Sequence, residues 1–183
     1  MEFLKSDEEI ERLELYKFFA GLFMQEPSDE IIMQAKEMFQ LEFDDTFHEI
    51  RSDYSHLFKI PDGHLIPCES LYNYPIGDKQ RLWGISAEEV QSFYNSVGLM
   101  MDEETDLMPD HISLEFLFMS YLIDNGLAEL QKKFLKQHIG KWVPSYCDLL
   151  KEHAETGFYK GIAEVLKEFI LFEVEEFESG ESH

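Results

Sequence analysis

Apolar residues recur along most of this chain at steps of three and four, the spacing that lines one face of a helix. A first helix is predicted from Ser6 to about Met24, with Ile10, Leu13, Tyr16, Phe19, Ala20 and Phe23 turned inward. Ser6 and Glu9 have the spacing of a capping box, in which the hydroxyl takes one orphan amide and the glutamate takes another. Pro27 and Ser28 open a second helix, with Ile31, Ala35 and Met38 on one face. Phe43, Phe47, Ile50, Tyr54 and Leu57 mark a third. Ser86 and Glu89 repeat the capping-box spacing ahead of Val90, Phe93, Tyr94 and Val97, and Gly98 suits a stop. Two further helices are predicted, from Leu127 to His138 and from Trp142 to His153. The last carries Phe158, Ile162, Val165, Phe169 and Phe172. No stretch sustains the alternation of a strand, so the fold class is all-α: a single-domain helical bundle over residues 1–183.

One helix differs from the rest. From Ile112 to Ile123 nearly every residue is apolar, and a helix apolar all round belongs inside a bundle. It opens with Asp110, His111 and Glu115. This first turn is expected to meet the surface as a cluster of oriented polar groups. Asp110 is placed as an N-cap, its carboxylate favoured by the free amides and the helix dipole.

A second exception is the stretch from Lys59 to Ile85. It holds Pro61, Gly63, Pro67, Pro75, Gly77 and Gly84. A loop of that length inside a compact domain is usually functional. It also carries Glu69, Ser70, Tyr72, Tyr74 and Trp83.

Composition narrows the function. The 183 residues suffice for one sizeable core. With 38 acidic against 15 basic residues the formal charge is −23. Such a chain repels phosphate backbones, which excludes nucleic acid as a partner, and it attracts basic peptides. Residues from about 173 to 183 read as an acidic tail. Cys68 and Cys147 have no zinc-ribbon or disulfide-framework spacing. The start of the chain turns acidic at once and lacks the apolar region of a secretion signal. No apolar run reaches the roughly 18 residues of a membrane span, so the expected setting is the cytoplasm.

The polar residues support few chemistries. His111 and Glu115 are four apart on one helix face and could both touch a metal, which keeps a metal-dependent enzyme as an alternative. Two ligands do not make a site, and the sequence names no third. The plainer alternative is a cap at Asp110 plus a hydrogen bond between His111 and Glu115. His64 and Cys68 are also four apart, but in a loop where helical geometry does not apply. HExxH, GxSxG, Walker and GxGxxG patterns are all missing, so no catalytic residue, metal or cofactor is implied. A further alternative is an acidic helical adaptor that docks a partner without reading a leader peptide.

Five short elements, taken in order, resemble those of the TorD/DmsD/NarJ family of maturation chaperones. Asp53-Tyr-Ser-His-Leu-Phe58 resembles its tyrosine-containing YxxLF element, and Pro67-Cys-Glu-Ser-Leu-Tyr72 its PxESxY element. Phe93-Tyr-Asn-Ser-Val-Gly-Leu99 is similar to FYxxxGL, and Pro109-Asp-His-Ile-Ser-Leu-Glu115 to PDHIxxE. The region from Phe134 through Trp142 and Pro144 to Phe158-Tyr159 resembles HLxxWxP…FY. The resemblance implies an all-helical chaperone without enzyme activity. Its partner would be an apo-molybdoenzyme catalytic subunit or that subunit's twin-arginine leader peptide, held until the cofactor is inserted. The client-binding residues it implies are Asp110, His111, Glu115, Glu69, Ser70, Tyr72 and Trp83. It also implies a monomer, or a dimer formed by helix exchange, with a hinge near Asn125-Gly126 or Ile139–Trp142. Trp142 itself is expected in the core.

Overall fold

The computed structural model describes residues 5–180. The helices run α1 Asp7–Met24, α2 Asp29–Phe39, α3 Phe47–Phe58, α4 Ile85–Ser96, α5 Ile112–Asp124, α6 Ala128–Phe134, α7 Gly140–His153 and α8 Gly157–Ser179. No strand occurs among the described residues, so the all-α fold class holds. No helix among them is long and apolar enough to cross a membrane.

α5 occupies the centre, with Ile112, Phe116, Met119, Leu122 and Ile123 buried; of its apolar residues only Leu117 is exposed. α1 lies along it, and Phe116 meets the rings of Tyr16 and Phe19 edge-on. Burying one such phenylalanine stabilises the fold by about 1.5–3 kcal/mol. α7 and α8 pack against each other on another side of the core, bringing in Trp142, Tyr146, Phe158, Tyr159 and Leu166.

The α1 capping box forms as the sequence predicts: Glu9 N–H donates to Ser6 Oγ, and Ser6 N–H to Glu9 Oε2. Other expectations need correction. Ile10, expected on the inner face of α1, is exposed. The buried stripe of α2 is Ile32 and Ala35, while Met38 is exposed. α3 begins at Phe47, so Phe43 lies ahead of it and packs its ring on Phe158. α4 begins at Ile85 without a capping box, because the Ser86 hydroxyl donates to the Asn73 carbonyl instead. The two helices expected between Leu127 and His153 are one, continuous through a π-helical turn at Leu135–Ile139. The extra residue of that turn keeps Phe134, Leu135, His138, Ile139 and Trp142 all on the inner face. Gly140 follows it, and a Cβ there would stand 2.8 Å from the Leu135 carbonyl oxygen and 2.9 Å from Val174.

Two polar ties fasten the helices. Arg12 of α1 grips Glu173 of α8 with a two-pronged contact at 2.6 and 2.8 Å, and the Tyr16 hydroxyl donates to the same carboxylate. Glu173 is buried, which corrects the reading of residues 173 onward as a tail: that run opens as the last part of α8, and residues 181–183 lie outside the described residues. Met1–Leu4, the first part of the Met1–Glu9 stretch that bears on a secretion signal, also lie outside them. Asp53 of α3 is the second tie. Its Oδ2 accepts from the Thr156 amide and hydroxyl and from the Glu155 amide, at the head of α8. A carboxylate there meets free amides and the positive end of the helix dipole.

Candidate functional site

The loop between α3 and α4 does not hang free. Residues 67–70 lie antiparallel to the entry of α5, with a backbone bridge between Cys68 and His111. Ile112 N–H donates to the Pro67 carbonyl at 2.8 Å, and Glu69 N–H to the Asp110 carbonyl at 2.9 Å. The two sequence elements singled out for chemistry are therefore bonded to each other.

Side chains reinforce that seam. Asp110 Oδ2 accepts from the Ser70 amide at 2.7 Å and from the Ser70 hydroxyl at 2.5 Å. The same hydroxyl accepts from Gly84 N–H at 3.2 Å. Ser70 thus joins the root of the loop, its far end and the start of α5. A Cβ on Gly84 would stand 3.3 Å from the Ser70 Cβ, so glycine suits this close approach. The preceding residue, Trp83, takes φ +58°, a left-handed conformation that is strained for a bulky side chain.

Beside the seam lies a buried carboxylate cluster. Glu69 faces His138 Nδ1 at 3.0 Å and accepts from the Asn73 amide at 2.6 Å. Glu115 accepts from the Trp142 indole at 3.1 Å. Tyr72 stacks on Trp142 with ring centroids 5.6 Å apart and donates its hydroxyl to the Ile66 carbonyl. Burial pushes the Glu115 carboxyl well above the usual range, and the charge of the adjacent Glu69 adds to this. A like charge nearby in a low-dielectric interior favours the protonated form of Glu115. Asp110 is also raised, by burial, against the lowering effect of the Ser70 donors. Burial pushes His111 down to about 4, which leaves a neutral ring at neutral pH.

The expectation that the first turn of α5 meets the surface is corrected. Asp110, His111, Glu115, Glu69 and Ser70 are all buried, because the loop folds over them. Asp110 is not the cap: His111 is, its Nδ1 accepting from Ser113 N–H at 3.2 Å. That contact, together with the Trp142 bond to Glu115, replaces the expected His111–Glu115 hydrogen bond. Among the described residues no group of three potential ligands is arranged to hold a metal. Of the seven predicted residues, Tyr72 is half-buried and Trp83 is exposed, at 56%. Trp142 lies in the core as expected.

Sequence reasoning passed over His138, Asn73 and Asp53. His138 carries a signal, since it interrupts the apolar run Phe134, Leu135, Ile139. Asp53 carries another: it falls on the inward step between Ile50 and Leu57.

What reaches the surface is the outer part of the loop. Tyr74, Ile76, Trp83 and Ile85 are exposed, Ile76 fully. Tyr74, Ile76 and Ile85 border a groove of about 930 Å³ whose other wall is formed by α4 and the α6–α7 stretch, including Phe93, Lys133 and Lys141.

Comparison with known proteins agrees with this architecture. The chain is 28% identical to Chaperone protein TorD of Vibrio parahaemolyticus, over 90% of its own length and 83% of that relative. It is 25% identical to Chaperone protein TorD of Vibrio atlanticus, over 86% and 78% of the two chains. The solved structure of a redox enzyme maturation protein from Archaeoglobus fulgidus superposes with a TM-score of 0.61 at 20% identity, covering 92% of this chain and 96% of that one, and shares the fold. These are relationships of sequence to TorD chaperones and of fold to the maturation protein. The sequence profile of the nitrate reductase delta subunit matches residues 24–148, more than half of the sequence, and the chain belongs to that family.

Proposed function

We propose that this protein acts in the cytoplasm as a single domain that binds an apo-molybdoenzyme catalytic subunit, or its twin-arginine leader, before cofactor insertion and export. The observation that carries this reading is a loop with an apolar exposed outer part and a clamped root. Tyr74, Ile76, Trp83 and Ile85 stand open to solvent. Ser70, Asp110 and the Glu69–His138 contact hold the base of the same loop rigid. Exposed aromatic and branched side chains on an ordered base recognise partners at low entropic cost. Clustered exposed apolar groups of this kind mark interaction surfaces.

In this reading Trp83 contacts the client, with Tyr72 at the edge of the surface. Asp110, Glu69, Ser70, His111 and Glu115 act from beneath by fixing the loop. They do not pair with leader arginines, because their acceptors face inward. The chaperone is a monomer that can exchange helices at Asn125-Gly126 or at the π turn beside Ile139–Trp142.

Co-purification from the native host tests the function. Capture of a molybdopterin oxidoreductase catalytic subunit, lost when residues 74–83 are replaced by a Gly-Ser linker, is the expected result. Recovery of the same subunit by the loop-replaced protein would remove the loop from recognition. Failure to recover any reductase from a host expressing one would overturn the function. Light scattering across a concentration series decides between monomer and exchanged dimer.

A further inference from the structure

The α1–α2 hairpin carries a second groove, of about 660 Å³, on its outer face. Leu15 and Phe18 of α1 and Ile31 and Met38 of α2 supply its apolar lining. Glu11, Glu14 and Glu26 stand around them. Met38 is 46% exposed, and Met24 and Met33 on the same hairpin are exposed as well. Methionine surfaces adapt to apolar segments of varied shape.

Gly21 lies in this groove, within α1. Glycine in a helix interior costs about 1 kcal/mol relative to alanine. Neither backbone nor packing asks for it here. Its φ lies outside the left-handed region, and a Cβ would meet nothing within 4 Å. The residue leaves a notch in the α1 wall.

The charges around the two grooves differ. The loop groove is bordered by Lys133 and Lys141 against Glu89. The hairpin groove has three glutamates against Lys17, which stands 3.5 Å from Glu14, with both side chains exposed. Arg51 approaches Glu26 only to 3.8 Å and is held at 2.5 Å by Asp29. Among the described residues no cation pairs with Glu11. A segment with basic residues beside an apolar run therefore matches the charge of the hairpin groove better than that of the loop groove.

We infer that the α1–α2 groove seats a client segment in which arginine or lysine stands next to an apolar stretch. The apolar side chains enter at Gly21, Phe18 and Ile31, and the cation meets Glu11 and Glu14. This rests on the chaperone reading and adds a second contact surface to the loop.

The test uses the full chain and a synthetic peptide with two adjacent arginines followed by an apolar run. Gly21→Leu fills the notch with a good helix former and should not lower the thermal transition. It should weaken peptide binding by about tenfold or more, equivalent to ~1.4 kcal/mol, with Gly21→Ala falling between. Glu11→Gln combined with Glu14→Gln should weaken binding and flatten its salt dependence. The Met38 methyl resonance should shift on peptide addition. Unchanged affinity in Gly21→Leu, with wild-type binding intact, would overturn the groove and leave the chaperone reading standing. A wild-type protein that captures a reductase but not the peptide also overturns the groove. Capture of neither overturns both.

Discussion

Ser70 and Asp110, forty positions apart in sequence, are joined by two hydrogen bonds to one oxygen: the Ser70 amide and hydroxyl both donate to Asp110 Oδ2, at 2.7 and 2.5 Å. The contact fixes the loop to the first turn of the central helix. The other oxygen, Oδ1, is buried with no hydrogen-bond partner. The group therefore serves chiefly through one acceptor, and its charge is not needed for either bond.

That division gives a first prediction. Asp110→Asn keeps an acceptor for both Ser70 donors, and its unfolding free energy in urea should change by less than about 1 kcal/mol. Asp110→Ala strands a buried amide and hydroxyl and should cost about 2–3 kcal/mol. The alanine variant should also be cut faster by protease within residues 73–83. Equal unfolding midpoints for the alanine variant and the wild type would show that the seam does not hold the loop.

The elements themselves were mostly legible in the sequence, because each rests on local pattern. The α1 cap needs only Ser6 and Glu9, and α5 needs only its apolar run. The seam was not legible. Asp110 has the residue type and position of a cap, and nothing near it in sequence shows that its partner is Ser70 or that His111 takes the capping role. The π turn was hidden for a related reason. An inserted residue that preserves an inward face looks, in a one-dimensional pattern, like a break between two helices. Residue type alone could not say whether the two motifs face solvent or each other.

A second prediction concerns the proton near Glu69 and Glu115. The folded state holds it on Glu115 more tightly than the unfolded chain does, since burial raises that carboxyl well above its ordinary value. Stability should therefore decline as pH rises above the ordinary carboxyl range, because the unfolded state releases a proton that the folded state retains. Glu115→Gln supplies a permanent N–H toward Glu69 and an oxygen for the Trp142 indole. It should be more stable than wild type at neutral pH, with the difference vanishing near pH 4. A glutamine variant less stable than wild type at pH 7 would exclude a proton held on Glu115.

A third prediction runs in the opposite direction. His111 is buried and pushed down to about 4, so between its ordinary value of 6.5 and 4 the unfolded chain binds a proton that the folded protein refuses. Stability should fall on acidification through that window, by on the order of 3 kcal/mol in full. His111→Asn retains a side-chain oxygen for the Ser113 amide and cannot titrate. Its unfolding free energy should be flatter from pH 6.5 to 4, measured by urea titration at each pH. Parallel curves for the two proteins would mean that other groups set the acid response.

The last prediction separates fold from recognition at Trp83. This residue stands in a left-handed conformation, at φ +58°, with its indole largely in solvent. A left-handed backbone costs a non-glycine residue about 1–2 kcal/mol. The geometry that imposes it is next door: Gly84 must reach the Ser70 hydroxyl for the loop to close on α5. Trp83→Gly removes the strain, and the greater freedom of glycine in the unfolded chain offsets about 0.5–1 kcal/mol of that gain. The variant should unfold within about 1 kcal/mol of wild type. Trp83→Ala keeps the strain and should be no more stable than wild type. If the indole is a client contact, both variants should lose about 2 kcal/mol of client affinity, the scale of an interfacial tryptophan. Calorimetry against the captured client reads affinity, and urea unfolding reads stability. Lost binding with retained stability in Trp83→Gly places recognition on the loop. Full affinity in both variants would leave Trp83 as a strained residue that serves only to bring Gly84 to Ser70.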